Sequence, residues 1–503
     1  MPRVPAVLLL FALVLPAARA GDPTGLDAVR DHLRHGMFRA AADGLGAFLK
    51  AHPESAEAFE VLAELRLAKG EALPASEAAF RAVELGNGEN RLWSLWGRMC
   101  LEVARSLRDE GLPKERYVSW CASAEKAFRT VIETDPEDPD VHWRFGLARE
   151  WQGDHGVAEQ FYDLQIERFP QHPAGYARMG RLFANRANWV KEKPEEVRRL
   201  RDRAYEFFRL GLEKAGEDPE LLFVMGGVRE EDDAPGLALS CYLRAAEAGP
   251  EFRRAWDRAA EQADPETVLY PLAKQVLAKH PTAAVPAMWA GHCANRRAPG
   301  PGERAWEQHA EALRWLLPAF EVHREHEGLY KEAYLAAQKL MGDDPARAVD
   351  PARGVAAFEK LHEIWQASGD AANNLGFWYR EQKRYDLSLA WYLKAVERAP
   401  ESQDILNDTG LIYLFHFPRE REKGLPFFEK TIALVLHGDQ KPERGYWDAL
   451  ENLCKHYTEV DPQPENVLRF AKMRYEVTKG VPPYNMSQVA EQWAKKARKA
   501  LGR

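Results

Sequence analysis

From Gly369 to Pro400, GDAANNLGFWYREQKRYDLSLAWYLKAVERAP, apolar and small side chains recur at intervals of three and four: Leu375, Gly376 and Tyr379, then Tyr392 and Ala395. That spacing gathers them on one face of each of two successive helices. Lys383-Arg384 is the polar break between the helices, and Pro400, which lacks an amide hydrogen, ends the second. Gly376 and Ser388 are small, so the two backbones can approach closely. A single such pair cannot bury its apolar face alone, whereas stacked copies can. The pattern does recur: Gly146 and Gly180, Phe358 and Tyr392, and Gly376 and Gly410 are each separated by 34 residues.

Read outward from this stretch, the chain predicts a row of helix pairs. Units are expected over 22–53 and 54–88, from Trp93 to Pro136, over 138–170, from Tyr176 through Phe208, and over 218–250. The third carries an insertion through Leu107–Val118, expected to lengthen its helices. The fifth carries a charged one around Asn188–Arg199, expected as an extended turn. Weaker seventh and eighth units follow, from Trp256 to Pro281 and around Ala290-Gly291. Residues 354–366 read as the second helix of a ninth. After the opening stretch, an eleventh unit begins at Leu406 and a poor twelfth covers 445–479. Asn295–Glu303, NRRAPGPGE, is the most loop-like stretch. It is the expected hinge between an array over 21–294 and another over 304–485, with a basic capping helix at 486–503. That last helix also fits an anionic partner or a membrane surface.

The opening stretch resembles a tetratricopeptide repeat, W-x2-L-G-x2-Y…A-x3-F…P, matched by Leu375-Gly376, Tyr379, Tyr392, Ala395 and Pro400. Ala372 stands in the Trp position and Ser388 in that of the first Ala. The resemblance implies an all-α, right-handed superhelical solenoid of antiparallel helix pairs, about 10–12 repeats long, several of them degenerate. It also implies a concave groove, lined by the first helix of each repeat, where peptides bind. Carried over by register, the groove residues are Trp143, Leu147, Glu150 and Trp151, then Arg181 and Asn185, then Phe223, Glu230 and Glu231. In the tenth and eleventh units they are Asn373, Phe377, Arg380, Asn407 and Leu411. Aromatic rings among Asn, Arg and Glu suit the capture of a peptide. Packing against neighbouring repeats is the alternative role for Trp143, Phe223 and Phe377. The repeated Lys/Asn arrangement of the family's carboxylate-clamp members is missing.

Composition adds limits. The chain has 503 residues, 46% hydrophobic and 29% charged, as in a folded protein. Its formal net charge of −8 argues against a nucleic-acid partner. Met1–Ala20, MPRVPAVLLLFALVLPAARA, has the basic start, apolar run and Ala18-Arg19-Ala20 ending of an export signal, with cleavage expected after Ala20. Losing Arg3 and Arg19 with it takes the charge from −8 to −10. The run is too short for a stable membrane anchor, and no later stretch is an integral membrane segment. The expected location is periplasmic or extracellular.

The five cysteines match no zinc spacing. In the third unit Gly97 faces Ala124, so Cys100 and Cys121, three residues further in on each helix, also face each other. A disulfide between them is expected after export, and two buried free thiols are the alternative. His323 and His326, and the pair His292-Cys293, resemble metal ligands but lack a third partner, so neither metal nor cofactor is expected. Asn407-Asp-Thr409 and Asn485-Met-Ser487 match the glycosylation sequon. HExxH, GxSxG and the P-loop are missing. The functional expectation is a non-catalytic exported scaffold that binds a protein or peptide in its groove. The alternatives are a structural subunit of an envelope assembly and a metal-dependent or hydrolytic envelope enzyme on a helical scaffold.

Overall fold

In the computed structural model the described residues are 24–297, 303–304, 306–342, 349–438, 440–478 and 486–502. The proposed signal segment, most of the Pro/Gly-rich stretch and Asn485 lie outside them. Among the described residues there are twenty-five α-helices and no strand.

The chain divides into two compact units, Met1–Ala263 and Asp264–Arg503. The first holds helix pairs Thr24–Arg34 with Phe38–Ala51, Ala56–Ala68 with Ala72–Leu85, and Asn90–Asp109 with Lys114–Thr134. Next come Val141–Gln152 with His155–Arg168, Pro173–Trp189 with Pro194–Ala215, and Pro219–Glu231 with Pro235–Ala248, then Arg253–Gln262 alone. The second opens with Pro265–Leu269 and Tyr270–Lys279. It continues as Ala284–Arg296 with Glu307–Val322, Glu327–Met341 with Pro351–Ile364, and Asp370–Glu381 with Tyr385–Arg398. Gln403–His416 with Leu425–Leu436 and Arg444–Glu459 with Pro464–Thr478 follow, and Met486–Ala500 ends it.

Three expectations change. The seventh repeat, Trp256 to Pro281, is split between the units at Ala263–Asp264. The insertion around 188–199 is not an extended turn: helices of 17 and 22 residues absorb it, leaving 190–193 between them. Pro194 at the first helical position and Glu195 and Glu196 in the first turn favour helix there. Asn295, placed at the start of the hinge, is instead buried in helix Ala284–Arg296. Its amide donates to Glu332 Oε2 at 3.0 Å and its carbonyl meets His309 Nδ1 at 3.1 Å.

One packing device repeats. A first-helix glycine makes room for a second-helix ring. A Cβ built on Gly97 would lie 2.7 Å from Phe128, and one on Gly146 2.7 Å from Tyr162. The same holds at 2.4 Å for Gly180 with Phe208, 2.6 Å for Gly226 with Tyr242, 2.5 Å for Gly376 with Tyr392 and 2.8 Å for Gly410 with Phe428. Any side chain at these positions would collide with a buried ring, so the glycine sets the distance between the helices. In the tenth repeat the Ser388 hydroxyl adds a hydrogen bond to the Gly376 carbonyl at 2.7 Å.

The expected Cys100–Cys121 bond is not formed. Both cysteines are buried free thiols, as are the other three. The Cys121 charge reaches Cys100, but Cys100 Sγ lies 3.5 Å from Ser76 Oγ, on the second helix of the preceding repeat. Burial pushes the Cys100 thiol up to about 12 and that of Cys121 to about 11.

Candidate functional site

The first helices of successive repeats touch one another in both units, as Pro173–Trp189 does with Pro219–Glu231 and Gln403–His416 with Arg444–Glu459. Side chains at spacings of three and four on each then form a continuous face within each unit. The two units use this face differently.

In the first unit the residues carried over by register are occupied within the array. Leu147 and Glu150, expected in the groove, are turned inward. Leu147 fills an apolar cluster with Phe128, Val131 and Phe145. Glu150 accepts the Tyr162 hydroxyl at 2.7 Å and the Asn185 amide at 3.3 Å. Burial, with Glu150 beside it, holds the Tyr162 pKa well above the usual phenol range, so the hydroxyl stays a proton donor. Trp143 is half-buried, its indole N–H on Asp140 at 2.9 Å and the Arg144 and Arg178 guanidiniums over its ring. Arg108 lies 4.4 Å from the Trp151 ring centre.

Further along, Arg181 pairs with Glu231 at 2.6 Å. Phe223 contacts the rings of Tyr242 and Phe252 under Arg254. Glu230 pairs with Arg258 and accepts from Gln262, and the Tyr242 hydroxyl sits against it. A cavity of about 330 Å³ remains, lined by Trp143, Arg178, Glu220 and Arg254 among others. Its Glu220 is already bound by Arg254 at 2.6 Å.

In the second unit the structure brings Asn373, Phe377, Arg380, Asn407 and Leu411 together around one open cavity of about 690 Å³. Three successive first helices supply the rest of its wall: Asn374, then Asp404 and Asp408, then Arg444, Asp448, Glu451 and Asn452. Neutral amides link the helices. Asn452 donates to the Asn407 carbonyl at 3.0 Å, Asn407 donates to Asp408 at 3.3 Å, and Asn373 donates to the other Asp408 oxygen at 3.1 Å. Arg380 is half-buried over the Phe377 ring and pairs with Glu381 at 3.2 Å. Glu451 is held by the buried Arg474 at 2.6 Å.

Reading the sequence missed Asp404, Asp408 and the third helix. The third helix lies in the poorly matching twelfth unit, and the two aspartates sit one turn apart on a helix whose motif positions are Leu406, Gly410 and Tyr413. An i, i+4 carboxylate pair on the helix carrying Asn407 was the available signal. Asn407 and Thr409 are both buried, so the sequon at 407–409 offers no exposed amide to a glycan.

The residues that resemble metal ligands have other partners. His292 Nδ1 lies 2.9 Å from Glu332, His323 Nε2 lies 3.1 Å from the Thr282 carbonyl, and His326 Nδ1 accepts the Leu329 N–H at 3.1 Å. Among the described residues no cluster of three or more such ligands occurs. No described helix is long and apolar enough to cross a membrane.

Family models described as tetratricopeptide repeat match residues 26–90 and 121–173, and again 369–399. No curated protein matches the chain. Among solved structures it is similar to MamA at 21% identity, covering 37% of this chain and 93% of that one, with a TM-score of 0.29. It is also similar to pilF of Pseudomonas aeruginosa at 16% identity (47% and 96% covered, TM-score 0.31) and to yeast Tom70 at 13% (95% and 96% covered, TM-score 0.30).

Proposed function

Because the chain is a tetratricopeptide-repeat protein, an architecture that serves protein–protein interaction, we propose that it is a non-catalytic adaptor holding a protein or peptide partner in the cavity over 373–452. One observation carries the reading. Three first helices converge there on apolar walls, Phe377 and Leu411, set among hydrogen-bonding amides, while the corresponding side chains of the first unit are consumed by contacts within the array. An extended peptide needs both features: apolar area for its side chains and amides for its backbone. Export belongs to the same reading and rests on Met1–Ala20.

Two experiments test it. Cross-linking of the full-length protein to its native partner is expected to map to residues 373–452. Phe377→Ala with Leu411→Ala is expected to abolish capture without changing the circular dichroism spectrum. Capture that survives this change, but not a shortening of 107–118 or 188–199, would favour the structural-subunit reading. N-terminal sequencing of the native protein is expected to begin at Gly21, and a chain beginning at Met1 would refute export.

A further inference from the structure

We propose that the cavity over 373–452 is a subsite for a cationic side chain, a lysine or arginine of an extended partner segment. The inference rests on the groove reading above and adds to it the chemistry of what is held.

The first support is a charge imbalance. Asp404, Asp408, Asp448 and Glu451 line the cavity against Arg380 and Arg444. Adding Arg474, the partner of Glu451, and Glu381, the partner of Arg380, leaves the same excess of two negative charges. Asp448 is met by Arg444 at 3.4 Å. The unmatched pair is Asp404 and Asp408, one turn apart on helix Gln403–His416; among the described residues no ion pair reaches either. Asp408 has only neutral amide donors, from Asn373 and Asn407. Burial holds both carboxyls above the usual carboxylate range, with the Glu443 charge adding to the effect at Asp404. The Gly445 N–H and the Arg444 charge at Asp404, and the Arg380 charge at Asp408, offset this only in part.

The second support is independent of charge. Asn373 spends its amide N–H on Asp408, which leaves its buried Oδ1 without a partner. The Tyr392 hydroxyl of the same repeat, wholly buried and outside the cavity wall, also lacks one. In the fourth repeat the equivalent hydroxyl, Tyr162, is satisfied by Glu150, four residues after the clearing glycine. Arg380 holds that position in the tenth. Buried polar atoms are ordinarily bonded, so a cavity lined by Asn373, whose Oδ1 is an unpaired acceptor, suits a ligand that brings donors. An ammonium or guanidinium brings three to five, and Phe377 and Leu411 offer apolar surface to its methylene stem. A carboxylate would instead meet two carboxylates that no ion pair reaches among the described residues.

The third support is contrast. In the first unit Glu220, Glu230 and Glu231 are each paired with an arginine of the chain.

Fluorescence anisotropy of the full chain tests the proposal, using a labelled Gly-Ser-Arg repeat peptide and its Gly-Ser-Glu counterpart. The arginine peptide is expected to bind about tenfold or more tightly than the glutamate peptide. D404N/D408N is expected to reduce that binding about tenfold, and E195Q/E196Q, an equal loss of charge in the first unit, to leave it unchanged. Should Asp408→Asn disturb the fold, Asp404→Asn alone removes one carboxyl of the cavity wall and is expected to lower affinity about threefold.

Equal binding of the two peptides, or equal effects of the two charge-removing pairs, overturns the proposal. If Phe377→Ala with Leu411→Ala still abolishes capture of the native partner in that case, the groove reading survives alone; if it does not, both fall. A dimer of the free chain that D404N/D408N dissolves would assign the cavity to a second copy, whose last helix carries Lys495, Lys496, Arg498 and Lys499, and would likewise overturn the proposal.

Discussion

Single residues in this chain do either packing or polar work, and the sequence shows the first far better than the second. Gly376, Tyr379 and Tyr392 were legible because a repeat needs the same volumes at the same spacing. Ion pairs and buried hydrogen bonds follow no such spacing. Glu332 illustrates the gap. It is nearly buried, and although burial raises its pKa, hydrogen bonds from His292, Asn295 and Arg296 bring it down to about 2. A carboxyl depressed in the fold stabilises it above the unfolded-state value, near 4.5, and loses that effect as pH falls through about 2. Glu332→Gln is therefore expected to cost about 1–3 kcal/mol in urea unfolding at neutral pH. The deficit should close as the pH is lowered below that of ordinary carboxyl titration. The five thiols, buried and held protonated, are expected to resist iodoacetamide in the native protein and to react on unfolding, read by intact mass.

At the scale of the element, the helix pair is a unit whose spacing is set by one missing side chain. Gly376→Ala would drive a Cβ to 2.5 Å from the Tyr392 ring. The expected cost is about 1–3 kcal/mol, measured by thermal or urea unfolding, because the ring is enclosed and cannot retreat without opening the pair. Helix existence was readable almost everywhere from period and punctuation. Length was not readable in the fifth repeat, because a charged insertion reads as loop when only its polarity is considered. Residues 194–215 are helical because proline at the start, acids in the first turn and Leu, Ala and Phe at helical spacing agree with one another.

Across the whole molecule, the chain divides into two compact units, Met1–Ala263 and Asp264–Arg503. Arrays of repeats gain stability from nearest-neighbour interfaces, so a local lesion spreads only as far as its neighbours carry it. Gly146→Ala is expected to lower the stability of the first unit and Gly376→Ala that of the second. Each should leave protection in the other unchanged when amide hydrogen exchange is followed peptide by peptide. A uniform loss in both would show that the chain unfolds as one cooperative body.

The unsatisfied Tyr392 hydroxyl has a kinetic consequence. A buried polar group without a partner weakens the closed form by about 1–3 kcal/mol, and water supplies the missing bond as soon as the helix lifts. Helix 385–398 should therefore open more often than helix 155–168, where Glu150 holds the matching tyrosine. The repeat that bears the cavity would then be the one that breathes, and a bound partner would be felt first as a slowing of that motion.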